Sequence, residues 1–148
     1  MFRKILVAVD LDDDSQNENL LRVTSEMANS NGADVYLLNV IGAAPSVVSQ
    51  FLPESYEKMA SAKIEQDLTA VAADIDLPDG VKDICVRFGD VYKEILAHAE
   101  NIGADLIIVA SHRPQVRDFL LGTTAARIVR HALCSTLVVR RALEMPDD

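Results

Sequence analysis

Five short apolar runs punctuate the chain, at residues 4–9 (KILVAV), 34–41 (DVYLLNVI), 82–88 (KDICVRF), 105–110 (DLIIVA) and 135–140 (STLVVR). Runs of this length, rich in β-branched residues and bounded by turn formers, predict strands. Between them, apolar positions recur at helical spacing. Residues 14–30 carry Leu20, Leu21, Val23, Met27 and Ala28, and residues 54–75 carry Tyr56, Met59, Ala60, Ile64, Leu68, Val71 and Ala72. Residues 91–101 carry Ile95, Leu96 and Ala99, and residues 123–132 carry Ala126, Ile128 and Val129. The first helical stretch stops at Asn31-Gly32, the second before Leu77-Pro78-Asp79-Gly80, and the third at Gly103, all residues that end helices.

The order is β-α-β-α-β-α-β-α-β. The first and fourth runs are apolar without alternation, which fits strands covered on both faces. Right-handed crossovers then predict an α/β fold, a doubly wound five-stranded parallel sheet of order 3-2-1-4-5 flanked by four helices. One domain spanning residues 1–148 is expected, with no repeat or linker. In this order strands 1 and 4 are neighbours where strand order reverses, and ligands bind outside carboxyl ends at such a point. Those ends are Val9-Asp10 and Ala110-Ser111-His112. The semi-apolar stretch 42–53 reads as a surface connection packed on a helix or partner, or as a flap over a ligand.

Composition narrows the classes. With 49% hydrophobic residues and no Trp, the core must be built from Ile, Leu, Val and Ala. A formal charge of −9 argues against nucleic acid and against an anionic membrane surface as partners. Basic residues nevertheless gather late, at Arg113, Arg117, Arg127, Arg130, Arg140 and Arg141, so a local anion site fits inside an acidic protein. No apolar run approaches the ~20 residues that span a bilayer, and the opening stretch lacks a signal-peptide pattern. A cytoplasmic location is the expectation. Cys85 and Cys134 lie far apart without a C-x-x-C and read as core cysteines.

Gly122-Thr123-Thr124 is the sharpest local signal. A helix opening there offers unpaired N–H groups, a positive dipole end and hydroxyls to an anion such as phosphate. An ordinary Thr N-cap is the competing reading. Asp10 can accept from a ribose or adenine donor or reach phosphate-bound Mg²⁺, or it simply orders its turn. Arg113 and Arg117 are candidate phosphate donors, and Ser135-Thr136 offers hydroxyls if the fifth strand lies beside the fourth. His112 reads as a turn residue or ligand contact rather than a base, and His98 and His131 as partly exposed. D-L-D at 10–12 resembles the aspartate motif of haloacid-dehalogenase-type phosphatases. However, Asp14 stands where Thr is needed, and no Lys follows Ser111. Neither G-x-x-x-x-G-K-[ST] nor G-x-S-x-G occurs. No catalytic residue and no metal-ligating set is nominated.

The opening KILVAVD, the second strand GADVYLLNV, the segment GADLIIVASHRP and the close LLGTTAARIVRHALCSTLVVR resemble the universal stress proteins over the whole chain. ASHRP with LLG-[ST] is most similar to the short bacterial F/G type. The resemblance implies ATP as ligand, with or without Mg²⁺, and a homodimer formed by antiparallel pairing of the last strands, residues 136–140, as a dimer or within a tetramer. Many members bind ATP through G-x2-G-x9-G-[ST]. Here Ala110 and Arg113 replace the first two glycines and the final spacing is eight residues. By position the resemblance puts Val9 and Asp10 at the adenine and ribose end, with the backbone of Val40 on adenine. Ala110, His112 and Arg113 would stand near ribose or phosphate, and Gly122, Thr123, Thr124, Ser135 and Thr136 at the phosphates. The function implied is an ATP-binding sensor or adaptor in a stress response, at most a slow ATPase, acting on a protein partner that the residues do not name. The alternative is a nucleotide-free homodimeric interaction module.

Overall fold

Strand alternation sorts the apolar residues onto two faces of one sheet. The computed structural model of the protein describes residues 1–12, 14–43, 46–111 and 121–140. Its strands are β1 (Lys4–Ala8), β2 (Asp34–Gly42), β3 (Asp83–Gly89), β4 (Leu106–Ala110) and β5 (Ser135–Val139). All pairs are parallel and the order is β3-β2-β1-β4-β5, as the pattern predicts. The helices are α1 (Asp14–Asn31), α2 (Ser46–Ser49), α3 (Tyr56–Ala73), α4 (Val91–Ile102) and α5 (Thr123–His131).

Ile5, Val7, Leu37 and Ile108 pack with Leu20 of α1 and Leu68 of α3. Leu6, Leu38, Ile107 and Val109 point the other way, onto Ile95 of α4 and Ile128 of α5. Ile5, Leu6 and Val7 are fully buried, which accounts for the unbroken apolar run of β1. Glycine is required at the helix stops. Gly32 and Gly103 sit at φ 64° and 69°, where a side chain is strained, and Ala33 N and Ala104 N bond back to Ala28 O and Ala99 O.

Four local expectations change. The 42–53 connection contains the short helix α2, whose residues are all exposed; positions 44 and 45 lie outside the described residues. On α5 the buried pair is Ala125 and Ile128, while Ala126 and Val129 face out, because one stripe of this nine-residue helix meets the sheet. On α3 Tyr56 and Met59 are exposed, since the helix reaches the sheet only from Ile64 onward. His98, expected to be partly exposed, is only 9% exposed, held under α4 against β3.

The chain start is tied down by one carboxylate. Asp105 accepts from Arg3 N at 2.8 and 3.1 Å and from Lys4 N at 3.1 Å. Charge-assisted bonds of this kind are worth more than neutral ones. Asp105→Ala is expected to lower stability by about 1–2 kcal/mol, read as a drop of roughly 2–8 °C in melting temperature.

His98 meets an ion pair. Arg87 Nε donates to Glu94 Oε2 at 2.7 Å, and Arg87 Nη1 donates to His98 Nδ1 at 3.4 Å. Burial first, and the Arg87 guanidinium second, push the His98 imidazole below its ordinary value of 6.5, with Asp83 opposing. The folded chain thus prefers neutral His98, while the unfolded chain takes up the proton near 6.5. The contribution to stability is present above that value and is lost as the pH falls below it. Urea unfolding at pH 7.5 and 5.5 should show a smaller loss on acidification for His98→Gln than for the parent chain.

Candidate functional site

β1 and β4 run side by side, Val7 opposite Ile108. Past their ends, α1 lies on one face of the sheet and α5 on the other. The last sheet bonds are Val9 N to Leu38 O at 2.9 Å and Ser111 N to Val139 O at 3.0 Å. At this end of the sheet lies a cleft of about 490 Å³. Its walls are Val9, Asp10 and Asp12 from the first turn, Asn39, Val40 and Gly42 from β2, Ala110 from β4, and Gly122, Thr123, Thr124 and Ala125 from α5. Ile64, Val91, Ile95 and Val109 supply apolar surface.

The α5 end is built for an anion. Gly122 is the N-cap residue, at φ −60° and ψ 155°, with no side-chain cap bond. The first helical bond runs from Ala126 N to Gly122 O at 2.9 Å. The N–H groups of Thr123, Thr124 and Ala125 come before it, at the positive end of the dipole. The Thr residues are therefore not caps, and the competing reading of this segment falls away. Since φ −60° is open to any residue, the turn does not demand glycine at 122, which is buried in the cleft wall.

The other wall is a braced turn. Asp10 Oδ1 accepts from Asp12 N at 2.9 Å, so one carboxylate oxygen orders the turn while the residue remains exposed at the cleft. The carbonyls that leave the sheet are taken by two amides. Asn39 Nδ2 donates to Val9 O and Asn17 Nδ2 to Asp10 O, both at 2.8 Å. Sequence reasoning passed over both asparagines. Asn39 interrupts an otherwise apolar strand, and Asn17 shares the buried stripe of Leu20, Thr24 and Ala28; those interruptions were the available signal.

The structure brings together Val9, Asp10, Val40, Ala110, Gly122, Thr123 and Thr124. It does not bring Ser135 and Thr136 there, which corrects the expectation for them. They open β5, opposite Leu106 and Ile107 at the start of β4. Parallel strands share one direction, and Ser135 is four residues from Val139, roughly 13 Å at strand rise. His112 and Arg113 lie outside the described residues. Among the described residues no group of three His, Cys, Asp or Glu side chains could hold a metal. Arg127 lies over the Tyr92 ring at 5.0 Å and does not line the cleft. A larger hollow of about 610 Å³ between α1 and α3 sets four carboxylates, Glu18, Glu26, Asp74 and Asp76, against Arg22, a net negative wall that disfavours an anion.

Comparison with known proteins gives a consistent result. The model of the Universal stress protein family matches residues 1–140. Universal stress protein G of Shigella flexneri is 29% identical, over 95% of this chain and 100% of that protein. Among solved structures, the universal stress protein from Archaeoglobus fulgidus in complex with dAMP aligns with a TM-score of 0.66 at 19% identity, over 93% of this chain and 98% of that one. A universal stress protein in complex with cAMP aligns with a TM-score of 0.63 at 19% identity, over 95% and 98%. At such identities these two structures speak for the fold.

Proposed function

Because the chain belongs to the universal stress protein family, in its short F/G-type group, we propose that the cleft between β1 and β4 binds ATP and that the protein acts as a nucleotide-loaded sensor or adaptor in a stress response. One observation carries this reading. The free N–H groups at the start of α5 and the braced Asp10 turn, far apart in sequence, face one cleft of about 490 Å³. The base and ribose belong at Val9, Asp10 and Val40, and the phosphates at Gly122, Thr123 and Thr124. Two proteins of the same fold are described with dAMP and cAMP bound, which supports an adenine ligand. Ala110 costs this site one methyl of room where many members carry glycine.

Mg²⁺ fits this site as a companion of the phosphates, since that ion is commonly held by phosphate oxygens plus one or two carboxylates. Asp10 and Asp12, both exposed in the cleft wall, are the carboxylates at hand. A phosphate cradle with Mg²⁺ stabilises a transferring phosphoryl group only weakly without a positioned nucleophile. Turnover below roughly 1 s⁻¹ is expected, the floor of ordinary enzymes.

Titration calorimetry with Mg-ATP is expected to give saturable heat, and the melting temperature is expected to rise with nucleotide. At a hundred times Kd the gain is about 2.7 kcal/mol. No heat and no shift at millimolar nucleotide would overturn the reading and favour an interaction module that works without nucleotide. We further propose that the β5 edge pairs with a second copy. β5 is an outer strand of the sheet, and an apolar edge left open invites pairing.

A further inference from the structure

We infer that Asn17 of α1 is a positioning residue for the nucleotide, acting through Asp10. The inference rests on the ATP reading above and deepens it by naming what holds one wall of the cleft in shape. Asn17 lies in the first turn of α1 and is only 8% exposed. It shares the buried stripe of Leu20, Thr24 and Ala28, at the spacing of one helix face. An amide there is costly unless its polar atoms are used, and an apolar residue would serve the packing as well. Thr24, the other polar member of the stripe, uses its hydroxyl inside the helix, donating to Leu20 O at 2.8 Å. Asn17 reaches out of the helix instead. Its Nδ2 donates to Asp10 O at 2.8 Å, seven residues back along the chain. That bond serves the turn after β1 rather than α1 itself.

The turn is a wall of the cleft. Asp10 is exposed there, and its Oδ1 accepts from Asp12 N at 2.9 Å. With its carbonyl taken by Asn17, Asp10 is held through both its side chain and its main chain. The preceding carbonyl, Val9 O, is held by Asn39 Nδ2 at 2.8 Å. Two consecutive planar peptide groups are thus fixed before a ligand arrives, which lowers the ordering cost at binding. Without the Asn17 amide, the peptide group after Asp10 is free to rotate and the carboxylate spreads over several placements.

The test is a cycle of four full-length chains, the parent, Asn17→Leu, Asp10→Ala and the double variant, read by calorimetry with Mg-ATP. Leucine is close to the amide in size and is a good helix former, so the melting temperature without ligand is expected within roughly 5 °C of the parent. Asn17→Leu is expected to bind ATP roughly tenfold more weakly, the size of one net hydrogen bond. In the Asp10→Ala background the same change should cost less than about twofold, because no carboxylate remains to be positioned. Asn17→Ala takes the place of the leucine variant if that one does not fold. A tenfold loss in both backgrounds overturns the proposal, since a residue that only supports the fold acts independently of Asp10. So does an affinity left unchanged by Asn17→Leu. A parent chain that binds no Mg-ATP overturns the ATP reading itself, a separate result.

Discussion

Gly122→Val is expected to abolish the proposed ATP binding, with affinity at least roughly 100-fold weaker, while the fold and the proposed pairing of β5 edges survive. The backbone at 122, φ −60° and ψ 155°, lies in the extended region that valine prefers, so the substitution brings no backbone strain. What it adds is a branched side chain in the wall of the cleft, at the residue that precedes the N–H groups of Thr123, Thr124 and Ala125. Phosphate must approach those groups closely to use them, and displacement by even an ångström forfeits the bonds. Calorimetry with Mg-ATP should show no heat. Light scattering should report the same mass as for the parent chain, because the β5 edge lies on another part of the molecule. Retained affinity would show that the phosphates sit elsewhere; a parent chain that pairs and a variant that does not would show that the two surfaces are not independent.

Ile108→Ala should cost about 2–5 kcal/mol, as large-to-small changes at fully buried positions do. Ile108 has no exposed surface and lies between Val7 of β1 and Leu137 of β5. Shortening it leaves a void that strands paired on both sides cannot easily collapse. A drop of roughly 4–20 °C in melting temperature follows. Met59→Ala is the counterpart, since Met59 shares the apolar pattern of α3 yet is 66% exposed; its expected effect is within about 0.5 kcal/mol. Equal losses in the two variants would contradict the placement of the core.

The contrast between Ile108 and Met59 shows where sequence reading stops. An unbroken apolar run such as LIIVA admits few environments, so its burial is legible. A single apolar residue on a helix face is not, because its burial depends on what lies above it. Met59 satisfies helical periodicity but sits beyond the reach of the sheet, whereas His98 breaks the apolar pattern and is buried under α4. Ser135 and Thr136 are the plainest case. Their hydroxyls suit phosphate, and the adjacency of β4 and β5 was anticipated correctly. They still miss the cleft, because parallel strands put the start of β5 at the end of the sheet opposite the site. Asn39 and Val9 are thirty residues apart, and no local pattern announces a bond across that separation.

By itself, then, the order of residues determined the strands, the four helices that flank the sheet, the stops at Gly32 and Gly103 and the winding of the sheet. These follow from the period of apolar positions, the φ preferences of glycine and the handedness of crossovers, all of which act locally or through chirality. The tertiary structure alone decided which polar groups bond: Asn17 and Asn39 with the carbonyls that leave β1, and Arg87 with His98. Those meetings depend on where strands end in space and on which helix crosses above them, quantities that emerge only when the whole core has packed.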